Sequence, residues 1–591
     1  MSKVIQAEDR SSMGQLAKSF KKYYVPFAIS VVLLLISVIF TVLTPGSIRD
    51  LTNSINPAKL TELGKDAYLS GILNVAIRLC IFIGVAFITA FVAGFIQNTV
   101  IQLYCKDLRE QISKKINKLP LNYYDTTQIG DILSVITNDV DTLATSMQNS
   151  VGLLIQSASL LIGVIIAMFL SSWQMALVVL VSLPIMLLLI FLTFKFALPL
   201  FDKTQSVLGE VNAMVEENYS GQLVIKAFNA EKRKMEEFNG KNDGLGKVLY
   251  KSQAIGGLVE PAMSFISYLT YAAVLVVAGL LAANGKIDFG TITAFITYIA
   301  LFQEPLNQIG QASSTIQLGS AASGRVFKFL SEEEQPYEGE KPRLLDHDHI
   351  RGEVEFKNVS FGYDPQKLTI KSFSQKIQPG MKVAIIGPTG AGKTTLVNLL
   401  MRFYEVTGGD ILIDGVSIKD MSRSELREVF GMILQETWVI NGSLRENIVY
   451  NLEGVTDERL NEVLKKTNLS HFVSTLPNGV DTVIQKESAL SAGQKQLVTI
   501  ARAMTENADM LILDEATSNV DTRTEILIQE AMDALTKGRT SFVIAHRLST
   551  IKNADLILVM KDGNVVETGT HDTLMELGGL YSEIYNSQFN N

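Results

Sequence analysis

The sequence predicts two architectures in one chain: an α-helical membrane domain over residues 1–330 and, past a linker at 331–351, an α/β domain over 352–591. Three observations predict this. The chain has 591 residues, more than one domain usually holds. Its mean hydropathy is +0.23, and only 19% of its residues are charged, which is low for a soluble protein. Leu, Ile, Val and Phe crowd into the first 330 residues, whereas from about Gly352 short β-rich runs alternate with helical ones.

A helix needs about 20 apolar residues to cross the hydrocarbon core. Six spans are expected, near 25–44, 72–97, 152–170, 175–196, 259–282 and 289–310. The polar, mildly basic start (Lys3, Arg10, Lys18, Lys21, Lys22) leads into an apolar run too long for a cleaved signal peptide, so that run is read as the first span. The loops set the orientation. Lys106, Arg109, Lys114, Lys115 and Lys118 follow the second span. Lys203, Lys226, Lys232, Arg233, Lys234, Lys241, Lys247 and Lys251 follow the fourth. The link between spans three and four (Ser171, Ser172, Trp173) carries no charge, and that between five and six only Lys286 and Asp288. The positive-inside bias therefore places the N-terminus, both long loops and the C-terminal domain in the cytoplasm. Both loops are amphipathic and helical in pattern, so the helices are expected to run well beyond the bilayer.

Arg78, near the outer start of span two, is expected to snorkel to the interface. Gln303, Glu304, Asn307, Gln308 and Gln311 fall along span six. Such groups are costly in lipid, so they should face the bundle interior or a wet cavity, either lining a substrate path or bonding helix to helix. Cys80 and Cys105 have neither CxxC nor metal-ligand spacing and are expected to be free thiols. A net charge of −8 without a basic stripe excludes a nucleic-acid partner.

In the second half the decisive segment is Gly387-Pro388-Thr389-Gly390-Ala391-Gly392-Lys393-Thr394-Thr395, which fits G-x-x-x-x-G-K-[ST]. Val383–Ile386 before it reads as a buried strand and Leu396–Phe403 after it as a helix. In that context the glycines let backbone N–H groups converge on phosphate oxygens at a helix N-terminus. Lys393 adds a charge at the β- and γ-phosphates, and the Thr394 hydroxyl is a Mg²⁺ ligand. A second strand, Met510–Leu513, ends in Asp514-Glu515. A carboxylate there holds Mg²⁺ in a P-loop fold, and Glu515 is placed to polarise the attacking water.

Further marks carry a family resemblance. Leu490-Ser491-Ala492-Gly493-Gln494 looks like the LSGGQ signature of ABC ATPases. Around it stand Tyr363 in Phe-Gly-Tyr-Asp, Gln435 after an apolar strand, Ser518-Asn519-Val520-Asp521, and His546 after Val543-Ile544-Ala545. In the membrane half, Tyr123-Tyr124-Asp125-Thr126-Thr127 with Gly130-Asp131, and Gly221 to Phe228, are similar to exporter loop segments. From about residue 20 to 586 the chain resembles ABC exporters: six transmembrane helices with long cytoplasmic extensions, fused to an α/β P-loop ATPase domain with an ABC helical subdomain.

The resemblance implies that Tyr363 stacks on adenine and that residues 387–395 hold the phosphates of ATP. Thr394, Gln435 and Asp514 would serve Mg²⁺ and its waters. Glu515 is the implied general base, and His546 contacts the γ-phosphate. Ser491, Gly493 and Gln494 of the signature, with Asp521, would meet ATP held by the other subunit, so one chain cannot complete a site. A membrane domain fused ahead of the ATPase implies an exporter in a bacterial plasma membrane, and no peptidase-like extension precedes it.

Gln485-Lys486-Glu487-Ser488-Ala489 stands where such exporters usually show a Gly-Glu-x-Gly-like stretch. Loop drift accounts for this, and so does functional asymmetry. In bacterial heterodimeric multidrug exporters one subunit keeps the catalytic Glu and His that its partner has lost. With Glu515 and His546 intact, the chain is similar to the competent half, so a heterodimer is the favoured expectation and a homodimer the alternative. The implied cargo is a lipophilic or amphipathic small molecule drawn from the lipid bilayer. Lipid or lipopeptide flipping is the second reading, and an ATP-gated channel or nucleotide sensor the third.

Overall fold

The computed structural model describes residues 14–55, 65–338, 343–346, 349–364, 367–435, 437–484, 490–514, 521–545 and 548–589. It divides into two compact units, one of residues 1–118 and 127–333, the other of 119–126 and 334–591.

The first unit is helical. Its long helices are Tyr24–Ser54, Lys65–Ile116, Val140–Ser171, Trp173–Ser220, Glu231–Gly256, Val259–Ala283 and Phe289–Ser331. Each expected span lies within one of them, and the helices do continue far past the bilayer. Among the described residues five helices are long and apolar enough to cross a membrane. The sixth expected span lies on Phe289–Ser331, 43 residues long, whose apolar run is interrupted by Gln303, Glu304 and, inside the helix, Pro305. Large apolar side chains such as Phe87, Phe91, Phe95 and Phe191 stand exposed on the helix surfaces, as lipid-facing positions must.

Inside, Met168, Val179, Met186, Met263, Phe295 and Phe302 pack one core. Helices Val140–Ser171 and Phe289–Ser331 approach closely: a Cβ on Gly319 would lie 2.1 Å from Ser146 Oγ, and Ser146 Oγ donates to the Thr315 carbonyl at 2.7 Å. Small residues at such crossings let backbones come together. Lower on the same pair, the buried Asp139 carboxylate accepts Nε and Nη2 of Arg325 at 2.9 and 2.5 Å. Arg78, expected to snorkel, pairs with Asp50 at 2.5 Å. Cys80 and Cys105 are free, as expected.

Two six-residue helices cap the cytoplasmic turns. Leu121–Thr126 falls in the second unit, where the Tyr404 hydroxyl donates to Asp125. Gln222–Ala227 falls in the first. Around it Leu223 is 84%, Val224 59% and Phe228 79% exposed.

Among its described residues the second unit holds twelve strands: β1 Val354–Phe361, β2 Ile370–Ile377, β3 Lys382–Ile386, β4 Gly408–Ile413, β5 Val416–Ser417, β6 Phe430–Ile433, β7 Gly442–Ser443, β8 Val483–Ile484, β9 Met510–Asp514, β10 Thr540–Ile544, β11 Leu556–Lys561 and β12 Asn564–Gly569. One sheet, antiparallel throughout, has the order β2-β1-β4-β5. The larger runs β12-β11-β3-β10-β9-β6 and is parallel from β11 to β6. Its inner strands are almost wholly buried, which is why they read as continuous apolar runs rather than alternating ones. A helical subdomain around Leu444, Ile448, Leu460 and Val463 packs against the helix Ala492–Glu506 and the β9 side of the sheet.

Candidate functional site

Parallel register brings the functional loops to one edge. Ile544 is level with Ile385 on one side and with Asp514 on the other, and Ile433 is level with Leu513. The segments leaving the carboxyl ends of β3, β10, β9 and β6 are therefore the phosphate loop, the stretch beginning at Ala545, Asp514 itself and the stretch reaching Gln435. Ligands of open parallel sheets bind at this edge.

The loop Gly387–Gly392 depends on glycine at two places in particular. Gly387 has φ +150°, and a Cβ there would sit 2.2 Å from the Met560 carbonyl oxygen. Gly392, at φ +104°, is the N-cap of the helix Lys393–Leu400, and a Cβ would press on Ile370 at 3.0 Å. The first-turn amides of that helix open onto the loop. Lys393 Nζ arches over it, donating to the carbonyls of Gly387 and Pro388 at 2.8 and 3.1 Å. Burial pulls Lys393 below its usual pKa, opposed by the negative charge of Asp514. Phosphate oxygens would add to that opposing field. The Thr394 side chain is exposed beside it, Asp514 is half-buried, and Gln435 is exposed.

Tyr363 is half-exposed and held edge-on against Phe361 and Tyr404, ring centroids 5.0 and 5.1 Å away. Its hydroxyl lies 3.2 Å from Thr395 Oγ1. Thr395, expected at the nucleotide, is buried and so supports the aromatic platform from below. The structure adds Tyr404 to the site region, a residue the sequence reading passed over. Nor did that reading find the linker's Glu338, which pairs with Arg402 at 2.9 Å just past the phosphate-loop helix. These contacts join residues far apart in sequence and leave no local pattern.

Ser491 and Gln494 prove to be partners. Ser491 Oγ accepts the Gln494 amide at 3.2 Å, and Gln494 Oε1 accepts the Ser491 amide at 2.9 Å, a capping box on the helix Ala492–Glu506. The Gln494 side chain, expected at the nucleotide, is thus bound to its own backbone. Gly493 is buried, while Ser491 and Ala492 stand exposed at the helix N-terminus. Asp521 caps the helix Thr522–Thr536, accepting the Arg523 and Thr524 amides at 3.1 and 3.0 Å. These bonds, that of Thr524 first, lower its pKa. Glu515 and His546, together with residues 485–489 and 516–520, lie outside the described residues.

Comparison with known proteins gives the site its setting. The family model of the ABC transporter transmembrane region matches residues 27–306, and a second, described as ABC transporter, matches 370–518. A fatty acid ABC transporter ATP-binding/permease protein of Mycobacterium bovis is 43% identical over 82% of this chain and 77% of its own length. An ATP-dependent lipid A-core flippase of Desulfotalea psychrophila is 33% identical over 96% of this chain and 97% of its own. A probable multidrug resistance ABC transporter ATP-binding/permease protein of Bacillus subtilis is 34% identical over 88% and 78%. With its helical membrane unit, its phosphate loop on a parallel sheet and its capped signature helix in one polypeptide, the chain belongs to the ABC transporters of exporter type, which couple ATP hydrolysis to transport across the cell membrane.

Proposed function

We propose that this chain is the catalytically competent half of a dimeric exporter that extrudes lipophilic or amphipathic compounds by alternating access. The observation that carries the reading is the shared carboxyl edge of β3, β10, β9 and β6, with a preformed signature cap at Ser491 in the same domain. The phosphate-loop amides and Lys393 hold the β- and γ-phosphates, with Tyr363 as the platform for adenine. Glu515 takes a proton from the attacking water as its oxygen bonds to the γ-phosphorus. The bond to the leaving ADP oxygen breaks, and His546 steadies the γ-phosphate.

The donor set at the edge suits Mg²⁺: the Thr394 hydroxyl, the Asp514 carboxylate and the Gln435 amide oxygen are all hard oxygen ligands. The Asp514 charge already acts on Lys393, which supports this assignment. Once held by these three residues, the ion would neutralise charge on the β- and γ-phosphate oxygens.

The capped helix end, with Ser491 and Ala492 exposed, serves the ATP held by a second subunit. ATP then binds the closed pair better than the open one, and that difference drives the motion. The partner is a second half-transporter, a heterodimer being favoured. Lipid movement on the same scaffold is the second reading, supported by relatives named for fatty acid and for lipid A-core.

The test is the ATPase rate of the purified chain beside Glu515→Gln. Loss of a general base lowers the rate by about 10²–10⁴-fold, while ATP binding persists. Turnover by the chain alone means that two copies complete the sites and the homodimer is correct. ATP binding without turnover means a different partner is needed. Near-normal turnover in Glu515→Gln would remove Glu515 from its role.

A further inference from the structure

Glu304 stands fifteen residues past Phe289, about 22 Å down its helix and within a hydrocarbon core of about 30 Å. It lines a cavity of about 340 Å³ between the helices Val259–Ala283 and Phe289–Ser331. Ser264, Ser267, Tyr268 and Tyr271 line the other side, with Gln303 next to Glu304. The polar groups around it are tied down. Ser267 Oγ donates to Gln303 Oε1, and the Tyr271 hydroxyl donates to the Ile296 carbonyl at 3.2 Å.

The carboxylate itself is held by a relay from a third helix. Ser157 Oγ donates to Gln308 Oε1 at 2.7 Å, and Gln308 Nε2 donates to Glu304 Oε1 at 2.8 Å. That relay holds Oε1, and among the described residues no further hydrogen bond or ion pair reaches the carboxylate, which lines the cavity. Among the described residues no Lys, Arg or His pairs with Glu304, although its side chain is exposed. An ionised carboxylate at this depth needs water, a cation, or both.

We propose that Glu304 is a charge-selecting residue of the transport cavity and that the ligand it takes is a lipophilic cation. The carboxylate supplies the counter-charge, and the faces of Tyr268 and Tyr271 receive the apolar and cationic body. The cavity has the size of a small organic ligand. A fatty acid, whose own carboxylate would meet Glu304, is disfavoured at this place. This sets the chain apart from the fatty acid transporter it is similar to. The inference rests on the export reading, since it takes this cavity to lie on the transport path.

The experiment measures binding without ATP, in nanodiscs containing the full chain and its partner subunit. The probes are a size-matched pair, the tetraphenylphosphonium cation and the tetraphenylborate anion, each corrected for partition into protein-free discs. The wild type should bind the cation about tenfold or more tighter than the anion. Glu304→Gln should abolish that preference, Glu304→Asp should keep most of it, and Glu304→Lys should reverse it. Equal binding of both ions by the wild type overturns the proposal, even if no variant assembles. So does a Glu304→Gln variant that keeps the preference, or that loses both ions alike. ATP-driven export of a neutral dye is measured separately. Export with charge-blind binding sinks this inference alone, whereas cation-selective binding with no export of dye or cation sinks the export reading and leaves only the charge selection of the cavity standing.

Discussion

The short helices Leu121–Thr126 and Gln222–Ala227 are each six residues long and each close a turn between long helices, but their surroundings differ. The first belongs to the unit that contains the ATPase domain, where Asp125 accepts the Tyr404 hydroxyl and the Tyr123 and Tyr124 rings pack edge-on at 5.8 Å. The helices that follow it are tied to Phe289–Ser331 by the buried Asp139–Arg325 pair. The second helix carries bare Leu223, Val224 and Phe228. Its flanking helices are joined near the tip by the Lys234–Glu217 pair at 3.2 Å, in which Glu217 is exposed and Lys234 half-buried. Apolar side chains on a cytoplasmic tip mark a surface made for contact. The difference teaches that one tip finds its contacts within its own unit, whereas the other keeps its apolar side chains exposed.

The largest effect should come from the bare tip. Phe228→Asp places a carboxylate on that apolar surface, and its burial against a partner would cost several kcal/mol. ATP-driven export should fall by more than about a hundredfold while the unfolding midpoint of the chain stays put. A lowered midpoint with intact export would mean that the tip is covered within its own chain. Next, Arg325→Ala strands the buried Asp139 carboxylate without its donors, and stability should drop by about 1–3 kcal/mol, read by thermal unfolding.

Tyr404→Phe should cost about 1 kcal/mol by the same measurement. Burial first, then the Asp125 hydrogen bond, hold the Tyr404 hydroxyl above its usual pKa. A group with a raised folded value contributes below its unfolded value and loses that contribution as pH climbs through the folded one. Wild type and Tyr404→Phe should therefore differ by a constant amount up to pH of about 10 and converge only above it. Lys234→Ala should be smallest, within about 1 kcal/mol, because exposed ion pairs contribute little. A larger loss would show the second tip to be anchored more firmly than its exposure implies.

What the sequence made legible was local. The spans follow from runs of apolar residues, and the phosphate loop follows from glycine spacing between a strand and a helix; both lie where the sequence placed them. The ends of elements were less legible. The helix expected at Leu396–Phe403 is Lys393–Leu400, because phosphate-binding geometry starts it at Lys393 and the arginine at 402 turns out of it, at φ +50°. Arg402 then reaches back to Glu338, a pairing with no periodic signature. The relay Ser157–Gln308–Glu304 was equally hidden: the polar residues of span six were visible, but their partner lies 151 positions away. Gln494 shows the opposite failure. The signature pattern pointed toward nucleotide, and the three-residue spacing of a capping box was the signal passed over.

The helix Phe289–Ser331 is a rod of 43 residues, about 65 Å long, from the outer face of the membrane to the linker. A regular α-helix is stiff, so a push at its cytoplasmic end travels along it. At Pro305 the missing amide leaves the carbonyl of Leu301 without its usual intrahelical bond, and bending stiffness falls there more than anywhere else in the rod. Glu304 is the neighbouring residue. Bending of the rod would therefore be concentrated beside the carboxylate, and a change of angle there would re-aim Glu304 and strain its relay through Gln308 to Ser157.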